Sequence, residues 1–133
     1  MIDEYQNGII EQLETITSVK TVDIWQGDIE ELLKTPQGLP ALNVVYRGAD
    51  FEEKQTDGGH TMNFMIILVG KNVRSRKAGV SSCNAIIEAV RGVLIGYQVE
   101  GFDKLWPVSE DLMLARGGIL VYALNYKTNN VLP

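Results

Sequence analysis

The chain has 133 residues, a length that fits one domain over residues 1–133. Its 45% hydrophobic and 22% charged residues are typical of a soluble globular protein and exclude collagen-like, wholly disordered and disulfide-scaffold chains. The net charge of -5 argues against general nucleic-acid binding, and one cysteine cannot form an internal disulfide. The N-terminus mixes acids with apolar residues, and the longest apolar run, 65–69, is too short to cross a bilayer, so we expect no membrane contact.

The first third of the chain predicts two helices and two strands. An apolar stripe at spacings of four, four and three residues predicts the first helix, with Asp3 as its cap. Alternation of apolar and polar residues predicts a strand over 19–25, and 41–46 predicts another. Between these strands, 29–34 predicts a brief helix. The apolar stripe consists of Tyr5, Ile9, Leu13 and Ile16.

The middle of the chain predicts a central strand that follows a long loop. The segment 62–69 is apolar on both faces in its second half, which is typical of a strand covered on both sides. Before it, the polar and acidic stretch Gly48 to Thr61 predicts a long, mobile hairpin connection with Asp57-Gly58-Gly59 at its tip. His60, the only histidine, falls in this stretch, and we interpret it as a solvated loop side chain.

The last part of the chain predicts a helix and a hairpin. A second apolar stripe predicts the helix, with Ser81 or Ser82 as its N-cap and Gly96 as its stop. The segment 103–128 predicts two strands that turn at 116–118. The stripe consists of Cys83, Ile86, Ile87, Val90 and Leu94. The whole pattern predicts an α+β fold, a mainly antiparallel sheet of four or five strands with two principal helices packed on one face.

No residue pattern in the sequence is typical of an active site. His60 has no serine or cysteine at a spacing that suggests a catalytic partner. Cys83 lies on the apolar stripe, which favours a buried small side chain over a nucleophile. Gly70-Lys71 lacks the first glycine and the serine or threonine of a phosphate-binding loop. We therefore expect no enzymatic activity, no metal site and no cofactor.

Charge is divided unevenly along the chain. Residues 1–60 contain 12 acidic and 4 basic residues, whereas residues 61–133 contain 5 acidic and 8 basic ones. A basic cluster is formed by Lys71, Arg74, Arg76 and Lys77. An acidic loop contains Asp50, Glu52, Glu53 and Asp57. The basic cluster is either a solvated loop, a contact for an acidic protein or a phosphate contact, and head-to-tail self-association would satisfy both charged segments.

Several segments, taken together and in their order along nearly the whole chain, resemble those of a known family. The chain resembles the small phage tail proteins of the Mu-like prophage type, which are related in fold to tail terminators. Each segment is a structural pattern, and none is a catalytic signature. The segments are LPALNVVY (39–46) followed by Gly48, MIILV (65–69) leading into NVR (72–74), VRGVLIG (90–96) and YALNYKT (122–128).

The resemblance implies a structural, non-enzymatic role. Tail terminators form a ring, commonly a hexamer, that stops growth of the tail tube, meets the neck or connector and leaves a lumen for DNA. The implied partners are further copies of the chain, the tail tube protein and the neck or connector protein, with no sequence-specific nucleic acid. The implied locations are the host bacterial cytoplasm during assembly and then the virion tail. The sequence leaves a second function open, a small module that binds an anion or nucleic acid through residues 71–77.

Overall fold

The predicted order of helices and strands is confirmed. The computed structural model describes residues 2–51, 59–71 and 76–131. The elements in chain order are α1 (Ile2–Glu14), β1 (Thr21–Ile24), α2 (Ile29–Lys34), β2 (Ala41–Phe51), β3 (Gly59–Lys71), α3 (Arg76–Leu94), β4 (Leu105–Arg116) and β5 (Ile119–Val131).

The strands form one five-stranded sheet in the order β1-β2-β3-β5-β4. β1 and β2 are parallel, because α2 carries the chain back to the start of the next strand, and the remaining neighbours are antiparallel. The predicted α+β class with a mainly antiparallel sheet is therefore confirmed. β1 and β4 are the two edges of the sheet.

The larger core lies between one face of the sheet and the helices α1 and α3. Every predicted apolar residue of both helical stripes is buried in it, together with Ile66 and Leu68 of β3. Tyr5 of α1 stacks on Phe64 with ring centroids 5.6 Å apart, and its hydroxyl donates to the Asp103 carbonyl at 2.9 Å. These contacts attach α1 both to the sheet and to the segment between α3 and β4.

A smaller core lies on the opposite face of the sheet. Leu32 of α2 packs there with Ile67 and Val69 of β3 and Val121 of β5. The second half of β3 is thus covered on both faces, as the sequence predicts. The prediction that helices cover only one face omits α2, which is anchored by its N-cap Asp28, whose carboxylate accepts the Glu31 N–H at 2.7 Å.

The prediction of a long loop from Gly48 to Thr61 is wrong, because the strands on either side extend into both ends of that segment. β2 continues to Phe51 and β3 begins at Gly59, so only 52–58 separates the strands, and those residues lie outside the described part of the chain. A bulge between Tyr46 and Gly48 lets β2 continue, and Gly48 adopts the positive φ of 116° there. His60 is consequently a buried strand residue and not a solvated loop residue.

Two predicted helix caps are also wrong. α3 begins at Arg76, one and a half turns before the predicted cap, so Ser81 and Ser82 lie inside the helix. Asp3 lies in the first turn of α1, where its carboxylate faces the positive end of the helix dipole without capping it. The predicted stop is confirmed, since α3 ends at Leu94, shortly before Gly96.

The absence of a side chain at Gly70 lets α3 pack closely on β3. A Cβ atom at this position would lie 2.4 Å from the Cys83 sulfur, nearer than two such atoms can approach. Cys83 is itself 1% exposed and belongs to the larger core. A side chain at position 70 would therefore force the Cys83 side chain, or α3 itself, to shift.

Neighbouring residues at the end of α3 allow a matched test of the core. Leu94→Ala should lower the free energy of unfolding by about 2–5 kcal/mol, because Leu94 is fully buried and its removal leaves a cavity. Ile95→Ala should lower it by less than about 0.5 kcal/mol, because Ile95 is exposed. Urea denaturation measures both values, and equal losses in the two variants would contradict the assigned helix face.

Candidate assembly interface

Cys83 and Tyr126, two titratable side chains of the core, have raised pKa values. Burial raises the pKa of the Cys83 thiol, which keeps it protonated and unreactive. Burial also raises the pKa of Tyr126 to about 12. Among the described residues, no three histidine, cysteine, aspartate or glutamate side chains are grouped so as to hold a metal ion. No helix in the described ranges is long and apolar enough to span a bilayer.

The two predicted basic residues whose side chains the structure describes, Lys71 and Lys77, lie at one end of the sheet. Lys71 is the exposed last residue of β3, and Lys77 is exposed in the first turn of α3. The backbone of Arg76 begins the same helix, whereas Arg74 lies outside the described residues. Lys71 is the register partner of Ile119, the first residue of β5, and therefore lies beside the β4–β5 turn. The structure thus places Lys71 and Lys77 on either side of the connection between β3 and α3.

A cleft opens beside these basic residues, between the start of α3 and the β4–β5 hairpin. It has a volume of about 490 Å³, and we call it the hairpin cleft. Arg116 also lines it and forms an exposed ion pair with Glu30 of α2, with Nη2 and Oε1 3.1 Å apart. The apolar lining residues are Val80, Leu112, Ala115, Ile119, Leu120 and Tyr122. The cleft is therefore mainly apolar, and Arg116 is the cationic residue that lines it.

Asp50, the predicted acidic residue that the structure describes, lies at the opposite end of the sheet. Asp50 is exposed near the end of β2 and accepts a hydrogen bond from Asn63 Nδ2 at 3.1 Å. Glu52, Glu53 and Asp57 lie outside the described residues. β3 runs from this end to Lys71, and its 13 residues span about 40 Å. Asp50 and the basic residues consequently cannot contact each other within one subunit.

Phe51 is an exposed aromatic residue next to Asp50. It is 63% exposed, the highest value among the large hydrophobic residues whose exposure the structure describes. One face of its ring stacks on His60, its register partner, with centroids 5.2 Å apart and planes 21° apart. The ring is thus held in place while remaining accessible. Sequence reasoning missed this site because it assigned both residues to a mobile loop.

The edge strand β4 exposes further apolar side chains that the sequence analysis also missed. Two bulges interrupt its pairing with β5, and each places an additional large apolar residue in the strand, Val108 and Met113. Trp106 and Leu112 beside them are also exposed. The sequence signal for these bulges is the breakdown of alternation, as three apolar residues run consecutively at 106–108 and again at 112–114.

The uncovered half of the second sheet face is polar, and its side chains bond one another. Arg47 Nη1 donates to Asn125 Oδ1 at 3.2 Å, and Asn125 Nδ2 donates to Ser109 Oγ at 3.1 Å. Thr61 Oγ1 donates to Asn129 Oδ1 at 2.8 Å. These hydrogen bonds link adjacent strands and satisfy the polar side chains within the subunit. This face is therefore a weaker candidate for binding another subunit than the apolar surfaces.

One ion pair fastens α3 to the β4–β5 hairpin. The Arg91 guanidinium donates through Nε to Glu110 Oε2 at 2.8 Å and through Nη2 to Oε1, so the pair is bidentate. The hydrogen bond from Arg91 holds the pKa of the Glu110 carboxyl below its ordinary value. The pair helps to fix the hairpin that forms one wall of the hairpin cleft.

Comparison with known proteins identifies the family of this fold. The family model of the phage tail terminator protein matches residues 5–133. The chain belongs to the phage tail terminator family. A chain from the virion of a native gene transfer agent particle shares the fold, with a TM-score of 0.60 and 17% identity over 93% of this chain and 92% of that chain. A search of curated proteins finds no match.

Family membership makes the protein a structural component of a phage tail. The family is a class of tail structural proteins and not a class of enzymes. The predicted resemblance to tail terminators is therefore confirmed. In a terminator, the exposed apolar and charged surfaces described above are candidates for contacts with other tail subunits.

The Arg91–Glu110 pair predicts a pH dependence of stability. A carboxyl whose pKa is lowered by folding stabilises the folded state above its unfolded pKa of about 4.3, and this contribution disappears as the pH falls through the lower folded pKa. Glu110→Gln should therefore be less stable than wild type at neutral pH, and the difference should vanish in acid. Urea denaturation over a pH series measures it, with Asp111→Asn on the same strand as the control. A stability difference between wild type and Glu110→Gln that does not change with pH would contradict the role assigned to the pair.

Proposed function

We propose that this tail terminator assembles into a ring on the end of the tail tube, stops its growth and provides the surface to which the neck or connector binds. The observation that carries the proposal is the family match over residues 5–133, which includes all the strands of the sheet, the whole of α3 and most of α1. The protein would assemble in the host bacterial cytoplasm and remain in the virion tail. Its partners would be its own copies, the tube protein and the neck protein.

The arrangement of surfaces on one subunit supports ring formation. The hairpin cleft and the basic residues lie at one end of β3, and Asp50 and Phe51 lie at the other. Two different surfaces on opposite ends produce a head-to-tail contact, which closes into a ring when the rotation between subunits is suitable. A closed ring has a fixed number of subunits, so it can cap a tube without extending it.

The acidity of the subunit is compatible with DNA passage. A net charge of -5 repels phosphate groups on average, which is compatible with a lumen that does not retain the genome electrostatically. The cationic residues that the structure describes around the hairpin cleft would be covered by a neighbouring subunit in this proposal. They would then contribute to assembly and not to DNA binding.

Charge reversal at the basic end tests the proposal. Lys71→Glu with Lys77→Glu should raise the subunit concentration needed for half-assembly about three- to tenfold, because two exposed attractions become repulsions. The effect should shrink at high salt, where exposed charges are screened. Native mass spectrometry and a tube-length assay with tube protein measure assembly and capping.

The matched control makes the same change in charge away from both proposed surfaces. Lys20→Glu with Lys104→Glu reverses two exposed lysines that precede β1 and β4 and do not line the hairpin cleft, and assembly should be retained. Equal losses in both double variants would mean that net charge, and not the basic end, governs assembly. A wild-type protein that stays monomeric with tube protein present and leaves tube growth unchecked would refute the proposed function.

A further inference from the structure

We draw no further inference here: the strongest candidate, the hairpin cleft between the start of α3 and the β4–β5 hairpin, is a mainly apolar surface, and nothing in the structure shows what covers it.

Discussion

The pairing of β3 with its two neighbours is the constraint on which the rest of the fold depends. β3 is in register with β5 along its whole length and with β2 along most of it, so the middle of the sheet is a continuous hydrogen-bonded ladder. Its even-numbered side chains support α1 and α3, and Ile67 and Val69 support α2. Because this one strand also runs from Asp50 to the hairpin cleft, it separates the two surfaces and keeps their spacing rigid.

The edge of the sheet at β4 shows how such a protein can associate without aggregating. Pro107 has no N–H to offer, and bulges at Val108 and Met113 interrupt the regular spacing of the strand. Another strand therefore cannot add easily to this edge, even though the edge is apolar. The protein can still associate by inserting side chains into clefts. Such a contact has a defined geometry, which the addition of further strands lacks. Specific assembly and resistance to uncontrolled sheet growth are compatible for this reason.

Local periodicity was sufficient to predict the helices and the central strand. The stripes of α1 and α3 and the doubly apolar segment of β3 each bury residues that the spacing identifies. It failed around Asp50 and His60 because a run of polar and glycine residues at the end of a sheet has the composition of a loop, and strand pairing between distant residues cannot be seen in local sequence. It also failed at the start of α3, where Ser81 and Ser82 are helical despite their preference for caps.

The candidate interface was only partly predictable, because charge can be read from the sequence and concavity cannot. Lys71, Lys77 and Asp50 were identified from charge alone. The hairpin cleft exists because strand register places Leu112 opposite Tyr122 and because α3 begins beside them, and neither fact is encoded locally. Phe51 was missed because its importance depends on the strand that holds it.

Gly70 and Cys83 are distant in the sequence but pack directly against each other. The sulfur occupies the space that a side chain at position 70 would need. A side chain at position 70 therefore requires the Cys83 side chain to move or to become smaller. The effects of substitutions at the two positions should consequently depend on each other, although 13 positions separate them in the sequence.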